Sequence, residues 1–509
     1  MRLESAVKNI KYSTLAYILN YILKFVVRFV FIKYLSMEFL GINGLLGNIL
    51  TMLSFAEMGI GTAVVFSLYK PLAKGDINTV KALVQLLKKA YNCIGYCIFI
   101  MGILFLPWLN ELILTDQSVE FLSFYYLIFL INTGISYFYS YKISLLQADQ
   151  KQYIYSFYHS FFQMTLSLIQ IVFLIYCNSY AIYIVLMCIF TFLENKFISR
   201  KVDEIYPFLQ DKKRCYLDED IKKDITNNVK ALVIHRVSGI VVGSTANIIL
   251  SKFVGLVVVG VFSNYMMVIT AVEALLAQTI SATTATIGNL VVSENTERKN
   301  KIFEVVEFMV AWQAMVLATG FYVLLNVLIS VWIGENYIVD ESILFCIVVQ
   351  FYLRFMRRAI LVFRDALGLY WQDRYKSVAE MLINLLAGIY FTINYGMIGV
   401  VLGGILSTLL TSFWIEPYIL FNNGLNISLR KYFMNYLKFS LITLFIVITV
   451  QKIYSIFCKE VNILNFSIGV FLCLGISNII WAFIFRNADE FKYLINVLRT
   501  RIFSKGLPK

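Results

Sequence analysis

Lys24 and Arg28 stand four residues apart within an apolar run, and Arg354 and Arg358 repeat that spacing far along the chain. Four residues make about one helical turn, so each pair falls on one helix face. Arg236, beside His235, is a further cation inside an apolar stretch, and Glu57, Glu273, Glu307, Glu380 and Glu416 are acidic counterparts. A charge at the centre of hydrocarbon costs at least about 2.5–3.5 kcal/mol, so such residues face a polar interior or a partner. Arginine grips phosphate or carboxylate through paired hydrogen bonds. Lys24, Arg28, Arg236, Arg354 and Arg358 are therefore candidates for holding an anionic group at membrane depth.

A plainer reading stands beside this one. Lys24 and Arg28 could pair with Glu57, although one carboxylate does not neutralise two cations. Arg357 and Arg358 lie close enough to a membrane surface to snorkel there, and Glu416, preceding Pro417, reads as boundary structure. Glu57 is flanked by Gly59 and Gly61, and Glu273 is followed by Ser281, Thr283, Thr284 and Thr286. Such surroundings suit Na⁺ or H⁺ coupling through oxygen ligands, and they suit charge pairing with an arginine equally well.

The elements that must carry these residues are membrane helices. The chain is 60% hydrophobic and 15% charged, outside the range of soluble globular domains. A bilayer core about 30 Å thick takes roughly 20 apolar residues of helix, and the apolar runs between Tyr12 and Phe485 have that length without strand-like alternation. The expected fold is an all-α polytopic membrane protein of about 14 transmembrane helices: two six-helix lobes plus a C-terminal helix pair. The expected boundaries are 1–198 for the first lobe, 199–227 for a cytoplasmic linker containing Lys212-Lys213-Arg214, 228–430 for the second lobe, and 431–509 for the extra pair with a basic tail.

Basic residues set the orientation. Lys70, Lys74, Lys81, Lys88 and Lys89, then Lys196 and Arg200, then Arg298 and Lys299, then Arg430 and Lys431 fall on alternate connections, which places both termini in the cytoplasm. The net charge of +13 is then explained by anchors at an anionic lipid surface, and nucleic acid is not expected. The basic Met1–Lys11 segment precedes an apolar run too long for a cleaved signal. Eight cysteines without a CxxC pair and only two histidines argue against a disulfide framework or a zinc centre.

Glycine crowds the second span at Gly41, Gly44, Gly47, Gly59 and Gly61, so that helix is expected to bend or break. Gly399, Gly403 and Gly404 mark a matching weak point in the twelfth, although the Gly399–Gly403 spacing has helix packing as its default meaning. Phe39-Leu40-Gly41-Ile42-Asn43 and Val258-Val259-Gly260-Val261-Phe262 echo one another at the openings of the second and eighth spans, a weak internal repeat suited to two rocking bundles. Outward connections are too short to form a catalytic domain, which argues against a glycan polymerase or ligase.

The run Phe55-Ala56-Glu57-Met58-Gly59-Ile60-Gly61-Thr62-Ala63, continuing through Ser67-Leu68-Tyr69-Lys70-Pro71-Leu72-Ala73, resembles the second-helix segment of bacterial polysaccharide flippases of the Wzx type. Gly368-Leu369-Tyr370-Trp371-Gln372-Asp373-Arg374-Tyr375-Lys376, ahead of Glu380 and Asn384, is similar to the same family. The expected architecture resembles that of the wider multidrug/oligosaccharidyl-lipid/polysaccharide exporter superfamily, and is MATE/MurJ-like. The resemblance implies two lobes in alternating access within the bacterial plasma membrane, and a polyprenyl-pyrophosphate oligosaccharide as cargo for O-antigen, capsule or exopolysaccharide. It implies membrane lipids and a glycan polymerase as partners and no cofactor beyond a coupling Na⁺ or H⁺. Lys24, Arg28, Arg236 and Arg354 are the residues that would meet the anionic head. Lipid II and cationic drugs are the alternative cargoes, the latter calling for a cavity richer in carboxylates than in bases.

Overall fold

The computed structural model describes the backbone of residues 2–57, 60–113, 121–211, 217, 219–293, 296–369, 372–458 and 460–503, with the side chains there apart from those of 2–17, 55, 56, 62, 277–293, 296, 497–503 and parts of 220–235. Within these limits every regular element is a helix. Ten helices are long and apolar enough to cross a membrane, as expected of a multi-pass membrane protein. The remaining apolar stretches fall on two helices whose side chains are only partly described and on two spans that are broken. Lys212-Lys213-Arg214 of the expected linker lies outside the described residues.

The chain divides into two compact units, Met1–Ser263 and Asn264–Lys509. The first holds α1 (Arg2–Tyr34), α2 (Met37–Leu53), α3 (Ile60–Lys74), α4 (Ile77–Phe105) and α5 (Leu122–Ala148). It continues through α6 (Gln152–Cys177), α7 (Tyr180–Ile205), α8 (Glu219–Phe253) and the first turns of α9 (Leu256–Ser293). The second holds the rest of α9 with α10 (Thr296–Ile333), α11 (Glu341–Met356), α12 (Arg358–Leu367), α13 (Arg374–Tyr395) and α14 (Met397–Leu410). It ends with α15 (Ser412–Asn423), α16 (Leu429–Phe457), α17 (Ile463–Phe485) and α18 (Asp489–Phe503).

In the first unit the second span is interrupted as its glycines foretell: α2 stops at Leu53, Ser54–Glu57 tighten into a 3₁₀ turn, and α3 resumes at Ile60. A 3₁₀ turn inside a span frees backbone groups and re-aims side chains, and Glu57 sits on it. After α3, Gly75 adopts φ +70 and Asp76 caps α4, its Oδ1 accepting from the Thr79 amide at 3.1 Å and its Oδ2 from the Thr79 hydroxyl at 2.6 Å. The cap lies in the basic connection outside the spans, and these hydrogen bonds, the side-chain one foremost, lower the Asp76 pKa below its ordinary 3.8.

The two echo segments meet within this unit. A Cβ at Gly41 would run into the Leu256 carbonyl, and a Cβ at Gly260 would stand 2.6 Å from the Met37 carbonyl. Each glycine thus faces the backbone four residues before the other, a reciprocal contact in which the absence of a side chain lets the α2 and α9 backbones touch.

The second unit is built around α10. Phe308 packs with Phe439, Trp481 and Phe485 at centroid distances of 5.2–6.1 Å, and Trp312 Nε1 donates to Asn478 Oδ1 at 2.7 Å. These contacts fasten the C-terminal pair α16–α17 to α10. The weak point expected at Gly399–Gly404 is elsewhere, because those glycines serve packing: a Cβ at Gly403 would lie 2.6 Å from Gly388 Cα in the α13–α14 hairpin. The interruption falls at Thr411, whose backbone leaves helical geometry between α14 and α15.

Candidate functional site

In the first unit Lys24 and Arg28 project from α1, which packs chiefly along α6. Lys24 is exposed, with its Nζ 5.4 Å from the Tyr21 ring centroid, and among the described residues no carboxylate lies within salt-bridge distance of it. Arg28 is half-buried with Tyr183 as an electrostatic neighbour. Arg236, on α8, is exposed, while the side chain of His235 lies outside the described residues. Pairing of Lys24 or Arg28 with Glu57 is not what forms. Glu57 Oε1 instead accepts from the Tyr91 hydroxyl at 3.3 Å.

Glu57 also lines a polar cavity of about 360 Å³ inside the first unit, with Ser54, Tyr91, Asn132, Thr133, Ser136, Tyr137, Ser140 and Thr191. Sequence reasoning passed over these partners. The signal was present: Asn132, Ser136 and Ser140 recur every four residues on α5, a polar stripe on one face of an apolar helix. Gly61 belongs to the same arrangement, because a Cβ there would collide with the Tyr91 hydroxyl that reaches Glu57.

In the second unit Glu273 of α9 has the opposite surroundings. Arg354 Nη2 donates to its Oε1 at 2.6 Å, and Arg358 Nη2 stands 3.8 Å from its Oε2. One carboxylate therefore faces two guanidinium groups, and the trio keeps one positive charge in excess. The Arg354 side chain remains 50% exposed. Arg358 lays its guanidinium over the Phe355 ring, 4.6 Å from the centroid, a cation–π contact that fixes its plane. The Ser281–Thr286 side chains beyond Glu273 lie outside the described residues.

The neighbouring arginine corrects the sequence reading. Arg357 does not snorkel but is built into a buried network: Nε and Nη2 grip Glu416 at 3.0 and 2.7 Å, and Nη1 reaches Glu380 at 3.0 Å. Lys376 Nζ donates to Glu416 Oε1 at 2.7 Å, and Ser412 Oγ to Glu380 Oε2 at 2.7 Å. Glu416, read above as boundary structure, is the hub of this cluster, its side chain fully buried. Because α11 ends at Met356 and α12 begins at Arg358, the chain turns at Arg357. Arg354 and Arg358, four residues apart, keep to one side and reach Glu273, while Arg357, set off from Arg358 by about 100° around the helix, points toward α13 and α15.

The site residues thus form distinct constellations. Arg354, Arg358 and Glu273 come together in the second unit, Lys24, Arg28 and Arg236 belong to the first, and Glu57 stands in a cavity lined by neutral polar groups.

No protein-family model and no curated protein matches this chain. Solved structures do. The lipid II flippase MurJ in an inward closed conformation superposes with a TM-score of 0.64 at 15% identity, covering 94% of this chain and 99% of that one. An inward-facing multidrug resistance transporter of the MATE family, MOP superfamily, matches with a TM-score of 0.62 at 14% identity over 79% of this chain and 94% of its own. A MOP superfamily transporter from Pyrococcus furiosus, described by the reverse polarity of its binding pocket, gives 0.54 at 15% identity, covering 81% and 96%. At these identities the likeness is one of fold: the chain has the MATE/MurJ architecture.

Proposed function

We propose that the protein is a flippase that carries a polyprenyl-pyrophosphate-linked oligosaccharide from the inner to the outer leaflet of a bacterial plasma membrane, for surface polysaccharide synthesis. The observation that carries this reading is the charge count at Glu273, where two arginines answer one carboxylate and the half-exposed Arg354 holds capacity for an anion. Lys24 and Arg236, exposed from the first unit, add cations on other helices. A pyrophosphate-sugar head does not enter hydrocarbon unaided, because stripping water from its charges and hydroxyls is prohibitively costly. Guanidinium groups replace that hydration through paired hydrogen bonds. With both termini cytoplasmic, outward passage of negative charge is also favoured by an inside-negative potential, by roughly 2.3 kcal/mol per charge per 100 mV.

The fold is shared with proteins named as multidrug transporters and as a lipid II flippase. Export of a cationic drug would require carboxylate to exceed base, the reverse of the Glu273 cluster. Arg354→Glu reverses the key charge at an accessible position. In cells that depend on this chain, surface polymer should disappear and the lipid-linked oligosaccharide should accumulate on the inner leaflet while the protein stays in the membrane. Normal polymer in Arg354→Glu and in Lys24→Glu would refute the cationic site. Accumulated peptidoglycan precursor instead would point to lipid II.

A further inference from the structure

The space around Glu57 differs in kind from the arginine cluster at Glu273. Its lining residues stand near the middle of α4, α5 and α7 and on the break in the second span, so a polar cleft lies at membrane depth. No lysine or arginine is among them. An anionic head finds nothing there to hold it.

Hydrogen-bond acceptors dominate the wall. Ser136 and Ser140 donate their hydroxyl protons to the carbonyls of Thr133 and Ser136 at 2.7 and 2.9 Å, which leaves their oxygens to accept from a ligand. Asn132 Oδ1 is buried and takes no hydrogen bond among the described residues. Glu57 accepts the long 3.3 Å bond from Tyr91 and has no salt-bridge partner among the described residues. The rings of Tyr91 and Tyr137, with centroids 6.3 Å apart and planes inclined by 37°, flank the same space.

Such a wall calls for a ligand with many donors, no negative charge and an apolar surface. A sugar ring meets all three conditions: every hydroxyl donates, the unmodified ring is uncharged, and its C–H faces pack on aromatic rings. The volume of about 360 Å³ falls within the roughly 300–1,000 Å³ of small-molecule sites. A lone metal ion would leave the tyrosine faces and most of that space unused.

We infer that this cleft is a sugar subsite. Asn132 Oδ1, Glu57 and the oxygens of Ser136 and Ser140 accept from the hydroxyls of one non-acidic sugar of the cargo, and Tyr91 with Tyr137 packs on its ring. The inference rests on the flippase reading and extends it, assigning the sugar to the first unit and the pyrophosphate to Arg354 in the second. Glu57 makes the subsite selective, because a uronic acid would bring a second carboxylate against one that has no counter-charge.

The test uses the full-length protein in a sugar-free detergent and saturation-transfer NMR. The probes are the methyl glycosides of glucose, galactose, mannose, N-acetylglucosamine and N-acetylgalactosamine, each compared with methyl glucuronide. At least one neutral glycoside should give a saturable signal, and the glucuronide none. Asn132→Ala should weaken that binding about tenfold, the equivalent of one lost hydrogen bond. Glu57→Gln keeps an acceptor and removes the charge, so it should bind the glucuronide that the unaltered protein rejects, a gain that misfolding does not produce. No saturable signal from any neutral glycoside, an equal signal from the glucuronide in the unaltered protein, or continued rejection of it by Glu57→Gln would overturn the subsite. Binding of inorganic pyrophosphate to the same preparation, lost in Arg354→Glu, tests the cationic site separately. Pyrophosphate binding without glycoside binding sinks the sugar subsite alone, and the reverse sinks the anion site that carries the flippase reading.

Discussion

Arg354 and Arg357, three residues apart, should fail in opposite ways when truncated. Arg357→Ala deletes three hydrogen bonds and leaves Glu416 and Glu380 with Lys376 as their remaining salt-bridge partner among the described residues, at 2.7 and 3.6 Å. Breaking a buried ion pair from one side costs about 3–5 kcal/mol, because a desolvated charge is left behind. For a unit of this size about 2–4 °C of unfolding temperature accompanies each kcal/mol, so a loss on the order of 10 °C is expected. Arg354→Ala removes a half-exposed partner from Glu273, which keeps Arg358 nearby. Such a pair is worth roughly 0.2–1 kcal/mol, a shift of at most about 4 °C. Scanning fluorimetry of the purified variants measures both, and polymer display in cells reports transport. Arg357→Ala should lower protein level and stability together, whereas Arg354→Ala should lower transport at nearly normal stability. Adding Glu416→Gln to Arg357→Ala restores local neutrality and should recover part of the loss. Equal unfolding temperatures for the two single variants would refute the division into an interior strut and an accessible cation.

Gly41→Val and Gly260→Val should each destabilise the first unit by about 1–3 kcal/mol, the usual range for overpacking, since each side chain would meet carbonyl backbone; the double variant should cost less than the sum if the contacts are one interface, as a double-mutant cycle reads. Gly61→Ala should push the Tyr91 hydroxyl away from Glu57 and lower the unfolding temperature, and Tyr91→Phe in the same background should restore part of the loss by removing the colliding atom. Asp76→Ala should loosen the start of α4. Because the Asp76 pKa is lowered on folding, the ionised cap contributes fully above pH 3.8 and its contribution fades as the pH falls through the lower folded value. The difference in unfolding temperature between the unaltered protein and Asp76→Ala should therefore be present at neutral pH and shrink below pH 3.8.

Hydrophobic length determined the helices, because in lipid the backbone must satisfy its own hydrogen bonds whatever the neighbours are. The glycines around Glu57 announced the broken second span, and the echo around Gly41 and Gly260 announced a relation whose content, a backbone contact, appears only in three dimensions. The cations were legible as a set, since charge at membrane depth is costly wherever it occurs. Their division was not. Arg357 goes into a buried carboxylate cluster while Arg354 and Arg358 stay on Glu273, because the carboxylates that meet them come from different helices. Glu57 and Glu273 read alike in sequence because each is an acid among small and polar residues. Packing alone brought arginines to one and a stripe of oxygens to the other, for the partners come from helices distant in the chain and their approach depends on side-chain volume at every intervening contact.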